Sequence, residues 1–229
     1  MAHNVNTNYR IQIKEAIFRV KKIQPSEDVL LSHSEILYKD GVTARYPINC
    51  IVEKTMLIPQ GSTKFTWDNA FLDNIPSRCV TFFLEQNRFT GQYDLNPFNL
   101  KHMNLQSFDV LRNGVSVTGQ RQPLNFDFQR FKYLDGFTTL FRSNNQNYKD
   151  IGGAVDRLTY VNGSFFIITD FSCDASGGLE EYKDPSYKGS IRMELQFKNP
   201  LPSSTLIYVI AHQKKLIEIT SDREVLLNY

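Results

Sequence analysis

The chain has 229 residues, 41% of them hydrophobic and 22% charged, and a formal net charge of +2. That length fits one domain, or two at most, with enough apolar material for a sizeable core, and so balanced a charge excludes a strong pull towards nucleic acid or an anionic membrane. No apolar signal core opens the sequence, and no run approaches the ~18 apolar residues of a bilayer span, so the chain is expected to fold in a reducing compartment, unsecreted and without a membrane partner.

Residues 1–8 read as a flexible leader and 9–229 as a single domain. Tyr9 to Ile23 reads as a long first strand, with Ile11, Ile13 and Ile17 on one face and Ala16, Phe18 and Val20 on the other. Pro25-Ser26-Glu27-Asp28 then places proline and acids where a helix begins, and Asp40-Gly41 ends it. A strand from Tyr46-Pro47 to Ile58 keeps Ile48, Cys50, Val52, Met56 and Ile58 in phase, and Pro59-Gln60-Gly61 stops it. Thr66 to Leu72 holds the only tryptophan and fits either a strand or a helical turn.

The stretch Cys79 to Gly114 sets the style of the whole chain. A short apolar run, Val80 to Leu84, is followed by a turn-rich loop at Asn96-Pro97-Phe98-Asn99. A second run, Leu105 to Leu111, ends at Asn113-Gly114, the pair that supplies two positive-φ residues to a type I′ hairpin turn. Gln120 to Phe131 reads as a polar-aromatic loop, Leu134 to Phe141 as a short helix, and 143–153 as an Asn-rich loop. Ser164 to Phe171 is the most apolar strand. Asp174 to Gly189 is a long Gly-, Pro- and Asp-rich surface loop. Ile191, Met193, Leu195 and Phe197 alternate with Arg192, Glu194 and Gln196, the pattern of a half-buried strand. Leu206 to Ala211, Leu216 to Thr220 and Glu224 to Leu227 complete the set. The expected fold class is all-β: a jelly-roll barrel or sandwich of about eight antiparallel strands, with long loops and one or two short helices.

Candidate chemistry is sparse. Cys50, Cys79 and Cys173 are odd in number and far apart, as buried free thiols are. His3, His33, His102 and His212 are scattered without metal-ligand spacing. Acids and hydroxyls between Asp170 and Glu181 partly match a calcium loop, but Ala175 stands where the turn glycine belongs and the flanks are not helical, so a solvated strand-end loop is the better reading. Asn162-Gly163-Ser164 fits a glycosylation sequon and is sufficiently explained as a turn. The pairs Lys21-Lys22 and Lys214-Lys215 read as solvated surface, and nothing selects a carboxylate pair for glycoside hydrolysis. No catalytic, cofactor-binding or metal site is assigned, and no enzyme activity is expected.

Several stretches together carry a resemblance. Ala44-Arg45-Tyr46-Pro47-Ile48 opens a strand that ends in Ile58-Pro59-Gln60-Gly61. Trp67-Asp68-Asn69-Ala70-Phe71-Leu72 leads to Ile75-Pro76-Ser77-Arg78-Cys79. Phe89-Thr90-Gly91-Gln92-Tyr93, Asn96-Pro97-Phe98-Asn99 and Tyr133-Leu134-Asp135-Gly136-Phe137-Thr138-Thr139-Leu140-Phe141 follow. In that order and spacing they resemble the C-terminal part of the major capsid proteins of Polinton (Maverick) elements and adintovirus-like viruses, from about Tyr9 to Tyr229. That family is similar to the double jelly-roll capsid proteins, whose two barrels in one chain trimerise into a capsomer. The resemblance implies the second barrel alone, a structural protein of the virion capsid, made inside the host cell, whose partner is itself, a homotrimer being favoured, or another jelly-roll barrel. The alternative is a domesticated jelly-roll module that binds a glycan or protein through its loops. The run from Leu124 to Phe131 fits either role: Phe126, Phe128 and Phe131 line an interface or close one end of the barrel.

Overall fold

The computed structural model describes residues 12–39, 42–92, 94–119, 121–126, 132–142, 154–172 and 188–228. The chain divides into two compact units, Met1–Tyr46 with Ile217–Leu226, and Pro47–Leu216 with Leu227–Tyr229. The leader, the 143–153 loop, most of the Asp174 to Gly189 loop, Phe128 and Phe131 lie outside the described residues.

In the first unit, helix α1 (Glu27–Lys39) forms where the acids and proline place it, with Glu27 and Asp28 in the first turn and Lys39 in the last. Both ends thus suit the helix dipole. None of its residues is buried. The expected first strand is corrected here: residues 12–23 form no strand, and every one of them is exposed. Alternating apolar residues become a strand only when a neighbour accepts their backbone bonds, and the sheets described below draw all their strands from Ala44 onward.

The strands are β1 (Ala44–Ile58), β2 (Lys64–Asn74), β3 (Arg78–Glu85), β4 (Leu105–Arg112), β5 (Val115–Ser116), β6 (Gln122–Pro123), β7 (Ile167–Asp170), β8 (Lys188–Phe197), β9 (Thr205–Ile219) and β10 (Val225–Asn228), and all but residues 44–46, 217–219 and 225–226 belong to the second unit. One sheet runs β1-β9-β3-β7, with β10 also on β9; the other runs β2-β8-β4-β5, with β6 also on β4. Four antiparallel pairs therefore nest inside one another: β1 with β9, β2 with β8, β3 with β7, and β4 with β5. A long ribbon folded over so that its successive segments alternate between two sheets gives this order. The fold is a jelly roll.

Residues from the inner faces of both sheets share one core, including Trp67, Phe71, Phe108, Met193 and Leu195 on one side and Cys79, Phe83, Ile207 and Val209 on the other. Strand β2 settles the ambiguous tryptophan stretch. Its register against β8 slips between Trp67 and Phe71, at Asn69, whose φ of 53° admits a bulge. The bulge lets Trp67, Ala70 and Phe71 all reach the core. Lys54, on β1, donates to the carbonyl of Ala70 at 2.7 Å and lies over the Phe71 ring.

The β4–β5 hairpin forms as the sequence predicts, with Asn113 and Gly114 at φ 52° and 81° and Arg112 opposite Val115. Helix α3 (Leu134–Arg142) fills the expected short helix, and two single turns, α2 (Gln86–Phe89) and α4 (Arg157–Val161), add to it. In α2, Arg88 is nearly buried; it donates to Glu85 at 2.6 Å and to the carbonyl of Asn96 at 2.8 Å, which pins the Asn96-Pro97-Phe98-Asn99 loop. That loop also meets the Asn162-Gly163-Ser164 turn: the amide of Leu100 donates to Gly163 at 2.7 Å, and Phe165 donates back to Leu100 at 3.1 Å.

Candidate interaction surface

The two sheets differ on the faces turned away from the shared core. In β8 the pattern alternates as predicted, with Ile191, Met193, Leu195 and Phe197 buried. The outer face of its sheet is polar: Glu194 sits between Thr66 and Asp109, and Gln196 between Lys64 and Ser107. Arg192 bridges Asp68 and Glu194, Arg121 pairs with Glu194, and Ser116 donates to Asp109 at 2.6 Å. Half-exposed ion pairs of this kind add little stability, but they make the face compatible with water.

The other sheet is apolar on both faces. Its inner rows are Cys79 with Ala211, Thr81 with Val209 and Phe83 with Ile207. Its outer rows are Val80 with Ile210, Phe82 with Tyr208 and Leu84 with Leu206. Phe82 and Tyr208 stack with centroids 4.9 Å apart. On the neighbouring β1, Glu53 accepts a hydrogen bond from the Tyr208 hydroxyl; that bond leads the causes that raise the phenol above its ordinary pKa. Ile51, two residues away and so on the same face, is 65% exposed. At one end of the face Arg78 lies opposite both His212 and Asp170, with its guanidinium 3.2 Å from the His212 Nε2. Burial lowers the Arg78 pKa, and the Asp170 charge opposes that shift. Burial, and then the Arg78 charge, lower that of His212.

At the edge formed by β7, the hydroxyl of Thr139 in α3 accepts the Ile168 amide at 3.2 Å, a covering device for a strand edge. A cleft of about 520 Å³ opens beside it, lined by Phe108, Asp109, Gln122, Asp135, Ile168 and Asp170 among others. Two of its three acids already serve the fold, since Asp109 binds Ser116 and Asp170 accepts both the amide and the hydroxyl of Ser172.

The residues weighed in the sequence for chemistry do not converge. Cys79 is buried, and burial pushes its thiol far above the ordinary range; Cys50 is half-buried. Cys173 and His3 lie outside the described residues. His33 is exposed on α1, and His102 belongs to a ring cluster, stacked on Phe126 at 4.1 Å with its Nδ1 accepting the Asn104 amide at 3.0 Å. Phe126 packs edge-on to Phe165, so it goes to closing the core. Of the acids and hydroxyls that partly match a calcium loop, only Asp170 and Ser172 are described, and they bond to each other. Among the described residues no group of three metal-binding side chains gathers and no helix is long and apolar enough to cross a membrane. Sequence patterning alone does not single out the outer row of Val80, Phe82, Tyr208 and Ile210. Its signal was the unbroken apolar runs Val80 to Leu84 and Leu206 to Ala211, where β8 alternates.

No known family matches the sequence, and no curated protein does. Among solved structures the chain is similar to the PBCV-1 virus capsid, at 12% identity over 82% of this chain and 52% of that one, with a TM-score of 0.46. It is similar to a chain of the Sputnik virophage, at 14% identity over 81% and 39%, with a TM-score of 0.40. It is similar also to the major capsid protein of mavirus, at 11% identity over 83% and 43%, with a TM-score of 0.37. The chain spans about half the length of these structures or less. Likenesses so distant carry no argument about function, and the jelly-roll assignment stands on the nested strand pairing.

Proposed function

We propose that the chain is a capsid-type structural protein, a jelly-roll subunit that associates with its own kind into a capsomer or shell of a virus or Polinton-like element, and that it resides in the virion. The observation that carries this reading is the outer face of the β1-β9-β3-β7 sheet. An antiparallel sheet whose second face meets only water alternates apolar with polar residues, as β8 does and as β3 and β9 do not. The apolar rows of that outer face are half-buried apart from the buried Leu84, and with the exposed Ile51 beside them they mark a contact site. A second source of such surface is the first unit, where Ile13, Ile17, Phe18, Val20 and Ile23 are each more than 60% exposed. A rigid double sheet with charges on one face and apolar residues on the other suits a building block. The trimer is the assembly that the family resemblance favours, and no catalytic step enters the reading.

The test is the mass of the full chain in solution across a concentration series, by light scattering after size exclusion, with negative-stain images of the same fractions. A trimer or a larger closed particle is the expected result. A strict monomer at every concentration overturns self-association.

A further inference from the structure

We infer that the outer face of the β1-β9-β3-β7 sheet packs against the same face of a second copy, sheet on sheet. The inference rests on the reading of the chain as a self-associating subunit and names the surface that the association uses.

Three properties of the face point to its own copy. Its charge is nearly balanced, because Arg78 and Asp170 are cross-strand partners, which leaves only the carboxylate of Glu53, bonded to the neutral Tyr208 hydroxyl. A face of one sign repels itself, whereas this one meets its like without net repulsion. Its layout is that of an interface, with the stacked Phe82 and Tyr208 rings in the middle and the polar Arg78, His212 and Asp170 group at one end; aromatic anchors at the centre and charges at the rim are what such contacts show. Finally, its shape is a regular antiparallel surface. Rows of β-branched and aromatic side chains on such a surface interdigitate with another sheet about 10 Å away.

The size of the face sets the strength. Three strands about 4.8 Å apart, each contributing about six residues at roughly 3.4 Å, make a patch of about 300 Å² in plan. Two copies then bury on the order of 1,000 Å² once side-chain relief is counted, close to the lower bound for a specific contact. A single contact of this kind is weak and concentration-dependent, and it becomes durable where a closed assembly repeats it.

The experiment uses the full chain in two arms. In the first, Ile51→Lys and Phe82→Glu are compared with the unchanged chain by sedimentation equilibrium, with circular dichroism to confirm the fold; Gln196→Lys, on the polar sheet, is the control. Each face variant is expected to raise the concentration at half-association at least tenfold, and the control to leave it unchanged. In the second, Tyr208→Cys is oxidised mildly and its cross-linked peptides are read by mass spectrometry. A 208-to-208 disulfide between chains is expected, because only like faces bring that position to itself. If the unchanged chain associates and the face variants associate equally well, the inference fails and the functional reading stands. If, with Ile17→Cys added to the Tyr208→Cys chain, position 208 links to position 17 and not to itself, the 12–39 segment is the occupant and the inference is overturned. If the unchanged chain is monomeric throughout, both fail together.

Discussion

At Tyr160 the core holds a phenol that is fully buried and whose hydroxyl has no hydrogen-bond partner among the described residues. Burial lifts its pKa far above the ordinary tyrosine range. A methyl group at Gly136, in α3, would come within 2.9 Å of that hydroxyl and 3.2 Å of the Leu124 side chain. Gly136→Ala is therefore expected to destabilise by about 1–3 kcal/mol through overpacking. Tyr160→Phe removes an unsatisfied group and is expected to be neutral or slightly stabilising. In the double variant much of the alanine penalty should vanish; full additivity in urea melts would show that the hydroxyl is not what the new methyl meets. His102 gives a second residue-level prediction. Burial lowers its pKa from 6.5 to about 4, so between those values the unfolded chain binds more protons than the folded one. Stability is full above about pH 6.5 and falls as the pH drops towards 4, by on the order of 2 kcal/mol once partial solvent access is allowed for. Glu85 acts in the same direction at lower pH: burial opposes its ionisation, but hydrogen bonds and charge from Arg88 and Lys101 win and hold its pKa below the usual value. His102→Asn, which keeps an acceptor for the Asn104 amide, is expected to flatten the melting temperature between pH 6.5 and 4.5; an unchanged slope would assign the pH dependence to another group.

Among the elements, the β4–β5 hairpin shows what local sequence specifies. Asn113-Gly114 has the chemistry of a two-residue turn, and the structure uses it so. Yet the turn has a long-range partner invisible in the dipeptide: the Asn113 side chain accepts the Ser190 amide at 2.8 Å, and its own amide donates to Ser190 at 3.0 Å. Asn113→Ala loses that bond and places at positive φ a residue less tolerant of it than asparagine, for an expected cost of about 1–2 kcal/mol. Asn113→Asp should recover part of it, since it keeps both the acceptor and the tolerance of positive φ; equal losses in both variants would show that neither is what holds the turn. The same division separates the other elements. Helices α1 and α3 and strands β1, β3, β4 and β8 were legible because periodicity and end signals agree along each stretch. The bulge at Asn69 was not, since it is defined by a register against β8, more than 100 residues away. The single turns α2 and α4 escaped because four or five residues carry no period, and tertiary bonds such as Arg88 to Asn96 hold them. Strand β9 read as two pieces because Gln213-Lys214-Lys215 looks like a break, whereas the ladder continues through Ile219.

On the scale of the molecule, the nested order was reached in the sequence through strand count and family resemblance, not through pairing, because the sequence does not state which strand lies beside which. The interaction face was written there but unread: the apolar runs at Val80 to Leu84 and Leu206 to Ala211 imply a sheet covered on both sides, a property of the assembled sheet and not of either strand. Residues 12–23 of the predicted first strand are the same lesson reversed, since apolar residues with no sheet to join stay exposed. Whether 9–229 is one domain can be tested by truncation. No residue of 12–39 is buried, and the shared core draws every member from Val52 onward. Removing residues 1–42 should therefore leave the melting temperature of the double sheet within about 3 °C, because a change of 1 kcal/mol in a domain this large moves it by roughly 2–4 °C. The truncated chain should also be less prone to non-specific association, having lost Ile13, Ile17, Phe18, Val20 and Ile23 from its surface. A calorimetric scan decides the matter: a fall of 10 °C or more would mean that the segment contributes to the core as part of one cooperative domain, whereas an unchanged transition assigns its apolar residues to contacts with other molecules.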